Sequence, residues 1–312
     1  MSDGGRDAEP AALLRSVLGA PIENLRRLSG GASRETWSFD CRGRPLVLRR
    51  DPPGAPKEGM AVEARLLRAA GACGVPVPEV VAAESSFIVM ERVEGETIPR
   101  KILRDDAFAA ARLALAAQCG IVLAALHRIP VEDFADLPDT DQLAEWRDIL
   151  DSLGQPHPAF ELGLRWLGEN RPRRSGTAVV HGDFRNGNLI VGPQGVRAVL
   201  DWELAHRGDP LEDLGWLCVK AWRFGVNDNP VGGFGDYDEL AGAYEDAGGG
   251  HVDRDALMWW QAMGTLKWGI MCIVQGSLHV SGTVRSVELA AIGRRVCENE
   301  WDLLDLLPYG RD

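Results

Sequence analysis

The chain has 312 residues, 45% of them hydrophobic, and a net charge of −12 at pH 7. That length and apolar content suffice for a chain that folds unaided as one large domain or two lobes, and the acidity excludes a general nucleic-acid or anionic-membrane surface. Six cysteines with no CxxC and no Cys/His pair at metal-ligand spacing read as reduced core residues. The opening MSDGGRDAEP has neither a basic nor an apolar export segment, which predicts a cytoplasmic protein. The longest apolar stretch, residues 257–280, contains Gln261, Lys267, Gln275 and His279, costly in lipid and therefore a core helix with no membrane role.

A short apolar helix is expected over residues 10–18. Residues 22–50 read as strands: Trp37, Phe39 and Cys41 alternate with Thr36, Ser38 and Asp40, and Arg42-Gly43 supplies a tight turn before the strand at 45–50. Residues 60–70 have a helical pattern, stopped by Gly71, Gly74, Pro76 and Pro78. Strands follow at 79–83 and 86–91. Beyond Glu94-Gly95 the pattern turns helical, at 107–127, 142–153, 159–169, 211–224, 253–280 and 284–306, interrupted by short apolar strands in AVVHGD, NLIV and VRAVLDW. The sequence therefore predicts an α+β, two-lobed plan: an N-terminal lobe of residues 1–94 and a mainly helical lobe of residues 95–312 with an embedded hairpin. Charge divides the same way. Residues 1–95 carry 13 basic and 13 acidic side chains, so all of the excess acid lies in the second part; a solvated acidic face is the ordinary explanation, attraction of a cationic substrate the sharper one.

The chemistry concentrates in VVHGDFRNGNLIV and VLDWE, where polar residues follow apolar strands immediately. Strand ends are rigid supports, so Asp183, Asn188 and Asp201 are expected at fixed separations. Carboxylate and amide oxygens suit Mg²⁺. The spacing makes Asp183, in the loop, the acceptor of a hydroxyl proton, and Asn188 and Asp201, flanking the hairpin, the holders of a metal that bridges nucleotide phosphates. Alternatively Asp183 and Asp201 cap turns. Asp213 reads as such a cap, and Asp209, before Pro210, as the N-cap of the next helix.

HGDFRNGN resembles the HGDxxxxN catalytic loop of the aminoglycoside phosphotransferase family, and LDWE resembles its metal-binding element; the similarity runs from about residue 22 to about residue 300. The resemblance implies a protein-kinase-like fold and an ATP- and Mg²⁺-dependent kinase acting on a small-molecule hydroxyl. Asp183 is then the catalytic base, Asn188 and Asp201 the metal ligands, and His181 a support for the loop. The acid-rich segment that the family carries after the metal ligand is matched by GDPLEDLGW.

On the nucleotide side, LSGGAS offers Gly30, Gly31 and Ser33 for close backbone approach to phosphates, although a hairpin turn has the same composition. The lysine usual on the third strand is missing: Lys57, the first lysine, lies beyond a proline-rich segment. An arginine must substitute. Strand alternation allows one of Arg49 and Arg50 to face the cleft, and similarity to a VLR-bearing branch of the family selects Arg49, with Glu63 as its ion-pair partner. Backbone groups of Glu91 and Val93, in the segment between the lobes, are the expected adenine contacts, with Met90 behind the base.

Near Asp183, Trp222, Arg223 and Lys267 suggest a basic and aromatic pocket for an anionic or acyl substrate, while pairing of Lys267 with Glu212 is the plainer reading. The VLR and LDWE segments resemble the kinase domains associated with acyl-CoA dehydrogenases, which implies a hydroxyacyl-CoA acceptor; the overall acidity fits an aminoglycoside. A choline- or homoserine-type kinase and a non-catalytic nucleotide-binding module are the alternatives.

Overall fold

The structure, a computed structural model, describes residues 8–28, 34–51 and 59–308. Its first part comprises α1 (Ala8–Leu18), β1 (Glu23–Arg27), β2 (Glu35–Cys41), β3 (Arg44–Arg50), α2 (Gly59–Ala72), β4 (Val80–Glu84) and β5 (Phe87–Glu91). The strands form one antiparallel sheet in the order β1-β2-β3-β5-β4. Arg42 and Gly43 both have positive φ, +52° and +74°, which is the backbone twist a two-residue hairpin between paired Cys41 and Arg44 requires. Period-two alternation then sorts β3. Leu46 and Leu48 pack with Trp37, Phe39, Phe87, Val89 and Leu14 of α1, and Arg50 ends on that face with Glu35 and Glu9. Val47 turns instead toward the core of Leu66, Leu67, Ile88 and Met90, and Arg49 shares that face with Glu63 of α2.

The helical lobe follows as α3 (Pro99–Arg104), α4 (Ala109–Arg112), α5 (Leu115–Leu126), α6 (Gln142–Leu153), α7 (Pro158–Glu169), β6 (Ala178–Val180), β7 (Leu189–Gly192), β8 (Gly195–Val199), β9 (His206–Gly208), α8 (Leu211–Cys218), α9 (Tyr237–Asp246), α10 (Arg254–Val280), α11 (Val287–Gly293) and α12 (Val296–Leu306). The two-lobed, kinase-like plan is the one predicted. The embedded strands pair as two separate ribbons, β6 with β9 and β7 with β8. Neither β9, α3 nor α9 was expected from the sequence. No single helix among the described residues is long and apolar enough to cross a membrane.

Three predicted helices are broken. The stretch 107–127 bends by 56° between its halves, with Arg112 bonded to the carbonyls of Ile102 and Asp105. In 284–306, Ser286 caps α11, and Gly293 lies where a Cβ would stand 2.9 Å from Gly276 of α10. In 211–224 the chain leaves the helix at Val219 (φ −57°, ψ 133°) and continues as a 3₁₀ turn, Lys220–Arg223. Arg223 stabilises that bend by donating from Nη2 to the Cys218 carbonyl at 2.9 Å, one of the carbonyls a helix end leaves open.

α10, 27 residues and about 40 Å long, is the spine of the lobe. α8 crosses it so closely that a Cβ on Gly215 would stand 2.7 Å from the Trp260 backbone. This packing fixes α8, which bears the side chains under the loop 181–188. Of the six cysteines, all free, Cys41, Cys119, Cys218 and Cys272 are buried, but Cys73 is half-buried and Cys297 exposed, correcting the expectation of six core thiols.

Candidate active site

The loop 181–188 leaves β6 between two supports. From one side, the buried His181 donates from Nε2 to the Leu200 carbonyl (3.0 Å), accepts the Asp183 amide at Nδ1 (3.2 Å), and packs on Trp202 and Phe184. From below, the Asp213 carboxylate accepts the amides of His181 (2.7 Å) and Gly182 (2.9 Å) and the His127 imidazole (3.2 Å). Burial alone would raise the Asp213 pKa, but these donors and the nearby imidazoles outweigh it and hold it below the usual carboxylate range. Gly182 has φ +76° with the Leu204 carbonyl against its α-carbon, a place without room for a side chain.

So held, Asp183 faces three donors. Oδ1 accepts from Trp216 Nε1 (2.8 Å) and Arg185 Nε (2.9 Å), and Oδ2 accepts from Asn188 Nδ2 (2.6 Å). Asn188 Nδ2 also donates to the Asp183 carbonyl (2.9 Å), which leaves Oδ1 as the Asn188 atom able to meet a metal. Asp201, at φ +67°, follows β8 with its side chain one-third exposed. Among the described residues no three His, Cys, Asp or Glu side chains converge on a point. An amide oxygen and one carboxylate fit a Mg²⁺ that takes its other oxygens from phosphates and water.

Opposite Asp201, the two lobes meet through charge. Arg49 ion-pairs with the buried Glu63 and reaches Asp201 with Nη2 at 3.1 Å. Burial opposes the charge on Arg49, yet Glu63 and Asp201 more than offset it, so the pKa rises. Arg34, not expected at the site from the sequence, takes the other oxygen of Glu63 and lies 3.5 Å from Asp51 and 3.6 Å from Glu203. Glu203 is raised above the usual carboxylate range, first by burial and then by Asp201.

Gly30, Gly31, Ser33 and Lys57 lie outside the described residues. The Glu91 amide is taken by the Glu79 carbonyl (2.9 Å), so its N–H does not face a ligand; Val93 lies two residues beyond the strand end. Trp222 stacks between Trp216 and Trp268, at 5.2 and 4.8 Å between ring centroids, and carries the Arg185 guanidinium at 4.5 Å. Arg223 is occupied at the end of α8. Lys267 lies buried under the loop, 3.2 Å from the Gly182 carbonyl, 3.5 Å from Glu212 and 4.9 Å from the Trp216 ring. That is the pairing with Glu212 that the sequence allowed. Asp209 accepts the Leu211 amide (2.9 Å), the predicted cap. Trp216 and Arg185 were missed, although each lies inside a quoted motif, GDPLEDLGW and HGDFR, and Asp213 was expected only as a turn cap.

Glu212 also binds His206 at 3.0 Å. Burial works against charge on His206, and Lys267 opposes it too, but Glu212 prevails and the His206 pKa rises. A raised histidine contributes stability that is complete below its unfolded pKa, about 6.5, and disappears as pH passes the folded value. The melting temperature of His206→Gln should therefore fall below that of wild type by at least about 2 °C at pH 6, with the gap narrowing toward pH 9. A gap that is constant or widens over that range contradicts the pairing.

A small sheet lobe over a helical lobe, with a carboxylate loop and a metal-type pair between them, defines a kinase-like phosphotransferase. Residues 24–254 match the model of the phosphotransferase enzyme family (APH), and the chain belongs to that family, whose members include small-molecule kinases with hydroxyl acceptors. Acyl-CoA dehydrogenase family member 10 of Mus musculus is 31% identical over 229 residues, 66% of this chain and 21% of that protein. The chain thus spans about a fifth of that relative. Among solved structures, a Ralstonia eutropha protein provisionally assigned as an aminoglycoside phosphotransferase superposes with a TM-score of 0.74 at 24% identity, covering 95% of this chain and 96% of the other. The macrolide 2′-phosphotransferase of Brachybacterium faecium gives 0.66 at 20% identity, covering 97% and 99%. At these identities the superpositions establish the fold.

Proposed function

We propose that the chain transfers the γ-phosphoryl group of ATP, with Mg²⁺, to a hydroxyl group of a small acyl compound of the hydroxyacyl-CoA type. The observation that carries the phosphotransfer reading is the linkage of the two motifs: Asn188, hydrogen-bonded to Asp183, accepts at its carbonyl the amide of Leu200 (2.8 Å), next to Asp201, which pairs with Arg49. In this reading Asp183 accepts the proton of the attacking hydroxyl. Asn188 Oδ1 and the Asp201 carboxylate hold the metal, which when bound neutralises phosphate charge. Arg49 meets the phosphates, oriented by Glu63. Gly30, Gly31 and Ser33 cover the phosphates, and the Glu91 carbonyl and Val93 amide flank adenine. The boundary near residue 94 separates a nucleotide lobe from an acceptor lobe, and six free thiols suit a reducing cytoplasm.

The acceptor class follows from charge around Asp183. Trp216 and Trp222 are buried and their faces carry Lys267 and Arg185, so neither ring offers a polycation its π surface. Arg185, whose side chain is one-quarter exposed beside Asp183, suits an anionic or carbonyl group on the acceptor, and a dehydrogenase-named relative points the same way. ATP consumption should be at least about tenfold faster with hydroxyacyl-CoAs than with aminoglycosides or amino alcohols, the ratio that one good charge-assisted contact supplies. Turnover on amino alcohols alone would favour a choline-type kinase. Mg·ATP-dependent thermal stabilisation without turnover on any acceptor would favour a binding module.

A further inference from the structure

We infer that Arg34 is a second nucleotide-facing cation, which works with Arg49 as a two-arginine clamp on the phosphates; this rests on the phosphotransfer reading above. The two guanidiniums take one oxygen each of a single carboxylate, Glu63, which is 1% exposed. Their own side chains are 11% and 18% exposed. One carboxylate balances one guanidinium, and two cations held side by side out of water repel each other. Three more carboxylates surround the pair, Asp51 and Glu203 beside Arg34 and Asp201 beside Arg49, so four acids hold the two guanidiniums. Asp201 is the carboxylate that the proposed function assigns to a metal. A carboxylate turned toward a divalent cation gives up its arginine, and a guanidinium fixed by Glu63 then has N–H groups for phosphate oxygens.

The arrangement answers the missing lysine. A lysine on β3 presents one compact charge, whereas guanidiniums present flat forks that bind phosphate in a bidentate manner. Arg34 immediately precedes β2, the strand beside β3, so adjacent strands deliver the pair to the same face. α2 begins at Gly59, where a Cβ would stand 3.1 Å from Arg34 Nη2; a side chain there would crowd the guanidinium.

Calorimetric titration of the full chain with Mg²⁺ and the β,γ-imido analogue of ATP, and separately with adenosine, tests this. Arg34→Gln should weaken the triphosphate by about tenfold or more and adenosine by less than about twofold. Equal weakening of both ligands, the mark of an arginine that only supports the fold, overturns the inference, as does no change in either. Arg34→Lys keeps a charge on Glu63 and serves if the glutamine variant does not fold. It should lose about threefold for the triphosphate and nothing for adenosine, and equal losses again overturn the clamp. A wild-type chain that binds neither ligand removes the phosphotransfer reading itself, whereas a wild type that binds both with Arg34→Gln unaltered removes the clamp alone.

Discussion

Asp183→Ala should lower kcat for phosphoryl transfer by about 10²–10⁴-fold, the usual worth of a positioned general base, while Mg·nucleotide affinity stays within about twofold. The split follows from which atoms Asp183 touches. Its carboxylate meets Trp216, Arg185 and Asn188 inside the helical lobe; it touches Asn188 through Nδ2, not the Oδ1 proposed for the metal, and meets neither Arg49 nor Asp201. Alanine is the cleaner replacement. An asparagine oriented to keep its oxygen on Trp216 and Arg185 would set its own amide nitrogen against Asn188 Nδ2, turning over a side chain proposed as a metal ligand. Single-turnover rates and nucleotide titrations on the same variant measure the two effects separately. A kcat within tenfold of wild type would leave the base to another group.

The parts of this site that follow strand ends were legible because alternation and adjacency are local properties. Val-Val-His-Gly-Asp and Val-Leu-Asp-Trp-Glu announce a strand and the polar residues at its end, and β3 could be split into two faces by counting. Arg34 was not legible in the same way. It follows a glycine-rich segment, and its place beside Glu63 depends on the pairing of β2 with β3 and on the start of α2, neither of which a single window of sequence contains. Trp216 and Asp213 lie three residues apart on α8, and only the crossing of α8 over α10 turns both toward the loop from beneath. Helix ends failed for a related reason. The pattern of 211–224 is continuously helical, and what ends the helix is a tertiary choice: Trp222 leaves the line of α8 to stack between Trp216 and Trp268, with Arg223 closing the carbonyl at Cys218. The cap expected at Asp213 takes an unexpected form. It is a cap, but of the loop 181–188 rather than of its own helix.

That last contact carries the largest expected loss of stability. Asp213 is fully buried, and its carboxylate is the acceptor for the amides of His181 and Gly182 and for His127, which in turn bonds Tyr244 of α9 at 2.9 Å. Asp213→Ala strands two amides and an imidazole away from water, at about 1–3 kcal/mol for each unsatisfied group. A combined loss of about 3–5 kcal/mol is a large share of a net stability of about 5–15 kcal/mol. The melting temperature should fall by about 10 °C. Asp213→Asn should lie between, because one carboxamide oxygen can accept an amide while its NH₂ opposes the other. Activity per folded molecule should fall as well, since His181 and Gly182 are the two residues that aim Asp183. Thermal unfolding followed by near-ultraviolet circular dichroism, with turnover normalised to the folded fraction, separates the two losses. An alanine variant that melts within about 2 °C of wild type would mean that the loop holds its shape without the carboxylate. Its support would then come from His181 alone, through Leu200 and the stacked Trp202.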